Sequence, residues 1–219
     1  SPSWLQLVKK SLCPAGQLFM CADPNQGFLK ARLSWKYIGL NVSGRTRKLD
    51  YSWRTSYEIM VAANALIADL DGNAEDFVRP LLDNMPRGQK PQVIYCDTPQ
   101  DEQLILASEL KLLTGETNVP VQQIMILRSE KINPWKLKAA LERVLGAGSV
   151  VNCNDATDTG TGEQAKLMTI SSCTGMESGI VFVVGVGDLL NNALRVDMAE
   201  DERQQIMQES YRRLYVAMT

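Results

Sequence analysis

The chain has 219 residues, of which 45% are hydrophobic and 22% are charged, and its formal net charge is −2. This composition is typical of a globular protein that buries a sizeable core, and the apolar runs are too short to span a bilayer. Histidine is absent, which excludes Ser-His-Asp and Cys-His catalysis, and five widely spaced cysteines without a Cys-x-x-Cys motif indicate reduced thiols in a cytoplasmic protein.

Apolar, β-branched runs alternate with helical patterns along the chain. The apolar spacing predicts helices at 3–12, 56–70, 100–113, 135–145 and 199–218, and strands at 17–21, 46–49, 92–96, 123–127, 149–152, 166–171 and 180–186. Several of these strands lack polar alternation, as strands covered on both faces do. The order predicts an α/β fold with a doubly wound, mostly parallel sheet flanked by helices.

The clearest predicted helix is 56–70, in which apolar residues recur on one face. Thr55 and Glu58 fit a capping box at its start, and Gly72 is placed to end it. Further along, 154–163 is rich in Asp, Thr and Gly and predicts a surface loop. Gly160, Gly162 and Lys166 do not have the spacing of a Walker A loop, and no such loop occurs in the chain.

Positive charge is concentrated near the amino terminus. Residues 1–60 carry nine Lys or Arg against three acids, a net +6, and the remainder carries −8. This asymmetry favours a localised contact with a polyanion, although basic surface loops alone would give the same pattern.

Two candidate ligand contacts lie in this basic part. Gln26 follows a predicted strand and an Asp-Pro turn, a position from which an amide can contact a terminal phosphate or an attacking water; a plain surface turn is the alternative. Trp35 stands among Lys and Arg and suits base stacking, and a core position is its alternative.

Charged residues near other predicted turns give the remaining candidates. Arg54 directly precedes the capped helix, which predicts a place at a strand-to-helix turn facing the carboxyl edge of the sheet. There it suits bidentate phosphate binding, or else it pairs with Glu58 one helical turn on. Glu177 could accept a hydrogen bond from a ribose hydroxyl, or be a solvated loop acid. Arg212 and Arg213 fit the polar face of the last helix.

The order of these motifs carries more information than any one of them. Asp-x-x-Gln, Trp, Tyr-x-x-Arg-Thr-Ser, Met-Thr-Ile-x-x-x-x-Gly-Met-Glu and Arg-Arg-Leu-Tyr-Val-Ala-Met-Thr follow one another along the chain. This series resembles motifs III to VI of the UvrD/Rep-like superfamily 1 helicases and covers nearly the whole sequence. The resemblance implies a RecA-like fold, with 1–40 ending a first lobe and 41–219 forming the second.

The resemblance also implies roles for single residues. Gln26, Arg54, Glu177 and Gly175 would bind ATP, with Gln26 and Arg54 acting at the γ-phosphate, Glu177 at the ribose, and Gly175 allowing close backbone approach. Trp35, Thr169, Ser171 and Thr174 would contact single-stranded nucleic acid, with DNA favoured over RNA. ATP and Mg²⁺ would be held mainly by the protein's own N-terminal ATPase lobe, which is expected upstream of this sequence. No metal ligand and no membrane contact are expected in this chain. Walker A and Walker B are lacking, and the motif VI arginine would follow Thr219, so this portion alone is expected to be inactive.

Two departures from the family pattern leave other functions open. Ser171 stands where the family has His, and Thr174 replaces a Lys, at positions that link nucleotide state to the bound strand. The resemblance as a whole still implies the second lobe of an ATP-dependent helicase or translocase. The alternatives are a degenerate, non-catalytic RecA-like module that binds nucleic acid or protein, and an unrelated nucleotide-dependent α/β enzyme.

Overall fold

The computed structural model describes residues 2–13, 15–21, 41, 43–47, 49, 51–68, 81–191 and 199–219. Its helices are α1 (Pro2–Ser11), α2 (Tyr57–Ile67), α3 (Pro99–Gly115), α4 (Pro134–Leu145), α5 (Val186–Asn191) and α6 (Glu200–Met218). Its strands are β1 (Ile124–Arg128), β2 (Val150–Asn152), β3 (Ala165–Thr169) and β4 (Ile180–Val184). Within these ranges, no helix has the length and apolar character needed to cross a membrane.

The four strands form one sheet in the order β2-β3-β1-β4, and every pairing is parallel. All five residues of β1 are buried, whereas β4, which pairs only with β1 among the described strands, is mostly half-buried. A central parallel strand is covered on both faces, so an uninterrupted apolar run suits it. The predicted parallel sheet is confirmed.

Helices cover both faces of this sheet. Met125 and Leu127 of β1 pack in a cluster with side chains from α2, α5 and α6. Ile124 and Ile126, which alternate with them, pack in a second cluster with α3 and α4. The period of two along the strand thus divides the core into two layers, and the α/β architecture flanked by helices is confirmed.

Helix α2 begins differently from the prediction. Ser56, not Thr55, is the N-cap, and its hydroxyl accepts the Ile59 N–H at 3.4 Å. Glu58 does not complete a capping box, because its carboxylate accepts the Gly88 N–H at 2.8 Å and pairs with Arg87 at 3.2 Å. Long-range partners therefore replace the predicted local one. The predicted end of the helix at Gly72 lies outside the described residues.

Three predicted strands are wrong. No strand forms at 17–21, at 92–96 or in the described part of 46–49. In the second of these, Val93 is 78% exposed and Tyr95 is 93% exposed. A β-branched or aromatic run becomes a strand only when a partner strand and a buried face are available. The predicted loop 154–163 is confirmed, whereas α5 was not predicted, and the predicted domain boundary at residue 40 falls at the end of the undescribed range 22–40.

Candidate functional site

The carboxyl ends of the neighbouring strands β1 and β3 mark the place where this topology would form a ligand-binding crevice. The connection after β1 leads to α4, on the face that contains Leu137 and Leu141. The connection after β3 leads to the opposite face, where Ile170 and Cys173 are buried. Adjacent parallel strands whose connections leave toward opposite faces open a crevice at their carboxyl ends, which is where ligands bind in open α/β sheets.

Three side chains meet at this crevice and are called the carboxyl-edge cluster: Glu130, Ser171 and Arg213. The Ser171 hydroxyl donates to Glu130 Oε1 at 2.6 Å, which joins the segment after β3 to the segment after β1. Arg213 of α6 approaches the same oxygen with Nη1 at 3.8 Å, while its Nη2 donates to Glu209 at 2.6 Å. The cluster therefore combines a hydroxyl, a guanidinium and a carboxylate.

The carboxylate of this cluster is held in its ionised form. Partial burial raises the pKa of Glu130, but the hydrogen bond from Ser171 and the positive charges of Arg213 and Arg128, acting together with a backbone hydrogen bond, lower the pKa by more than burial raises it. The net pKa lies below the ordinary value. Glu130 is thus negatively charged at neutral pH, and its carboxylate occupies the hydrogen-bond donors that would otherwise suit a bound anion.

Arg128 is a buried cation beneath the cluster. Its Nη1 donates to the carbonyls of Ser129 at 3.1 Å and Ile132 at 2.9 Å, and its Nε has no hydrogen-bond partner. Burial lowers the pKa of Arg128, and the nearby charge of Glu130 raises it again. This guanidinium fixes the turn between β1 and α4 and adds positive potential below the crevice.

Thr169 lies beside the cluster in a network of its own. Its backbone N–H donates to Asn154 Oδ1 at 2.7 Å, and its hydroxyl lies 2.8 Å from that of Ser172. Asn154 also donates to Ser172 at 2.8 Å. The structure therefore places Thr169 and Ser171, two residues predicted to contact nucleic acid, at the same edge of the sheet.

A tight turn follows, and it contains two more predicted residues. The Met176 N–H donates to the Cys173 carbonyl at 2.9 Å. Gly175 has a φ of +80°, which a type II turn requires at its third position, and a Cβ there would meet nothing within 4 Å. Glycine is thus needed for backbone conformation, and the surrounding space is open. Thr174 is exposed in the same turn.

Arg54 and Glu177, two predicted ATP contacts, form an ion pair. Arg54 Nε lies 3.6 Å from Glu177 Oε2, and the side chains are 44% and 76% exposed. The next residue, Ser178, donates to the carbonyl of Gln123, which immediately precedes β1, at 2.7 Å. The pair therefore lies beside the segment that enters β4, toward the amino ends of the strands. The carboxyl-edge cluster lies at their other end.

This arrangement corrects two expectations about Arg54. Among the described residues before Arg54 no strand forms, and Tyr51 makes only an isolated bridge to Leu81, so the structure does not place Arg54 at a strand-to-helix turn at the carboxyl edge. It pairs with Glu177, while Glu58 pairs with Arg87. The intrahelical alternative is therefore wrong.

Other candidate residues lie outside the structure's description or were missed. Gln26 and Trp35 fall in the undescribed range 22–40. Glu130 was not predicted, although the Arg-Ser-Glu sequence that directly follows the apolar run 124–127 is the signal that points to it. Arg213 was predicted as a surface residue of the last helix and proves to face the crevice.

Comparisons with known proteins identify no relative. No protein family, curated protein or solved structure matches this chain. Among the described residues, no group of three or more Cys, Asp or Glu side chains could hold a metal ion.

Proposed function

We propose that this chain is the second RecA-like lobe of an ATP-dependent helicase or translocase that moves along single-stranded nucleic acid, DNA being favoured. The observation that carries the proposal is the contact between Arg54 and Glu177. These residues lie far apart in the sequence, and each was assigned to the nucleotide on separate motifs. Their contact brings both residues onto one surface, which supports a shared ligand.

The chemistry of the pair fits a nucleotide. An arginine guanidinium binds phosphate oxygens through parallel N–H bonds, and a carboxylate accepts from ribose hydroxyls. Both side chains are well exposed and 3.6 Å apart, and such a surface ion pair is weak enough for a ligand to separate it. ATP with Mg²⁺, when bound by the first lobe, would supply the phosphoryl group that Arg54 stabilises.

A second observation supports the division of roles. The residues assigned to ATP, Arg54 and Glu177, lie toward the amino ends of the strands, as Ser178 shows by its bond to Gln123. The residues assigned to single-stranded nucleic acid, Thr169 and Ser171, lie at the carboxyl ends of the β-strands. One segment thus presents two separate surfaces, which suits a motor that holds nucleotide and nucleic acid at different places.

The test is single-strand-stimulated ATP hydrolysis by the full-length gene product. We expect Arg54→Ala to reduce kcat by at least about a hundredfold, in the range found for an arginine that stabilises a transferring phosphoryl group. Arg143→Ala, at an exposed position of α4, is the matched control and should leave hydrolysis unchanged. Equal hydrolysis in Arg54→Ala and wild type would contradict the role of Arg54.

A non-catalytic nucleic-acid-binding module is the second candidate. The observation that favours it is the engagement of Ser171 with Glu130, because Ser171 stands where the family has the His that links nucleotide and strand. Strand binding without hydrolysis by the wild-type full-length protein would establish this candidate and reject the motor.

A further inference from the structure

We propose that Glu130 acts as a gate at the site where single-stranded nucleic acid would bind. Its carboxylate occupies the position of a nucleic-acid backbone phosphate between Ser171 and Arg213, and binding of the nucleic acid requires its displacement. The proposal rests on the proposed function, since it concerns the same nucleic-acid surface. It assigns an inhibitory contact to a residue that the sequence motifs do not include.

The contacts of Glu130 are those of a nucleic-acid phosphate. Serine hydroxyls and arginine guanidinium groups supply a large share of protein contacts to backbone phosphates. Here Ser171 donates to Glu130 at 2.6 Å, and Arg213 lies 3.8 Å from the same oxygen. The carboxylate thus satisfies donors that a phosphate oxygen would otherwise use.

Arg213 is held in position without Glu130. Its second terminal nitrogen donates to Glu209 one helical turn earlier at 2.6 Å. When the Glu130 carboxylate moves away, this bond keeps the guanidinium at the crevice. Arg128 remains buried below, so the positive potential of the site does not depend on Glu130.

Glu130 itself is able to move. Its side chain is 51% exposed, and Ser171 is exposed as well. A surface carboxylate can rotate into water at small cost, because it exchanges its protein contacts for solvation. In the closed arrangement, however, its negative charge repels an approaching phosphate.

Removal of this charge therefore strengthens strand binding. The variant Glu130→Gln keeps the size of the side chain and an oxygen that accepts from Ser171. We expect it to lower the Kd of the chain for a fluorescently labelled oligo(dT) strand by about threefold to fivefold, as measured by anisotropy at low salt. Glu163→Gln, at an exposed loop position, makes the same change in net charge and should leave the Kd unchanged.

Two further variants test the donors. Adding Ser171→Ala or Arg213→Ala to Glu130→Gln should abolish the gain, because the donors that the strand would use are then removed. Arg213→Ala should also reduce the slope of log K against log salt by about 1, as expected when one phosphate contact is lost. Thermal melting of every variant establishes that it is folded.

The outcomes separate this proposal from the proposed function. If wild type binds the strand and Glu130→Gln binds it equally or more weakly, the gate is wrong while strand binding stands. If Glu163→Gln strengthens binding as much as Glu130→Gln, the effect is one of net charge and the gate is again wrong. If no folded variant binds the strand at low salt, both proposals fail.

Discussion

Lys138 and Asp158 connect α4 to the loop that follows β2: Lys138 Nζ lies 2.6 Å from Asp158 Oδ2. The same carboxylate oxygen accepts the backbone N–H of Asn152, the last residue of β2, at 2.7 Å. One carboxylate thus holds the end of a short edge strand against the helix that precedes it.

Asp158→Ala should destabilise the chain by about 1–3 kcal/mol, because it removes a charge-assisted hydrogen bond and leaves the Lys138 ammonium without this partner. Urea unfolding at neutral pH measures the difference. Glu163→Ala, in the same loop but exposed, is the control and should change the free energy of unfolding little. Equal stabilities for both variants would show that the contact contributes nothing.

The contribution of Asp158 should also depend on pH. The hydrogen bonds from Lys138 and from the Asn152 N–H lower its pKa below the ordinary 3.8. A carboxyl whose pKa is lower in the folded state stabilises the fold fully above its unfolded pKa and loses this contribution as the pH falls through its folded pKa. The stability difference between wild type and Asp158→Ala should therefore be constant near neutrality and shrink below about pH 3.8. A difference that grows in acid would contradict the assignment.

Leu110 of α3 is fully buried, whereas Leu112 on the same helix is 43% exposed. Leu110→Ala should cost about 2–5 kcal/mol, because it removes apolar contacts and leaves a cavity beside Ile124 and Ile126. Leu112→Ala, which makes the same chemical change on the same helix, should cost much less. Chemical unfolding of both variants checks the burial of α3 against the sheet.

Gly185, at the end of β4, combines two constraints. Its φ is +74°, and a Cβ there would lie 2.7 Å from Ser129 Oγ and 2.8 Å from Ile132 Cδ1. Gly162 has a φ of +88°, but a Cβ there would meet nothing within 4 Å. Gly185→Ala should therefore be less stable than Gly162→Ala by about 1–3 kcal/mol, which is the cost of overpacking alone. Equal melting temperatures would show that Ser129 and Ile132 move aside freely.

Cys173 should be unreactive in the folded chain. It is buried, and burial raises the pKa of its thiol, so little thiolate is present at neutral pH. Alkylation followed by mass spectrometry should label the exposed Cys13 and Cys21 first and Cys173 only after unfolding. Rapid native labelling of Cys173 would instead indicate a redox-sensitive residue in the turn segment.

The sequence predicted the buried part of the sheet well because the signal there is simple. The predicted run 123–127 matches β1 (124–128) to within one residue, since Ile124, Met125, Ile126 and Leu127 are all apolar and buried. The run 92–96 has the same character but no partner strand, and its side chains remain exposed. Local composition shows that a segment is able to form a β-strand. Whether the strand forms depends on a partner strand that lies elsewhere in the sequence.

The site was predictable only in part for a related reason. The motif order singled out Arg54 and Glu177, which the structure brings into contact, because the order of motifs in a family reflects their placement in its fold. Glu130 has no motif, and its role depends on Ser171 and Arg213, which come from distant parts of the chain. Glu58 shows the same limit, because Gly88 and Arg87 displaced its local capping partner.

The segment 170–179 has one further consequence. Ile170 and Cys173 fix it in the core, Ser171 near its start contacts Glu130, and Glu177 near its end contacts Arg54. It is therefore a short segment that is anchored in the core and carries one exposed contact near each end. If the proposed nucleotide and nucleic acid bind at these two contacts, a ligand that favours one arrangement of the segment would change the affinity at the other end, and thermodynamic linkage requires the same factor in the reverse direction.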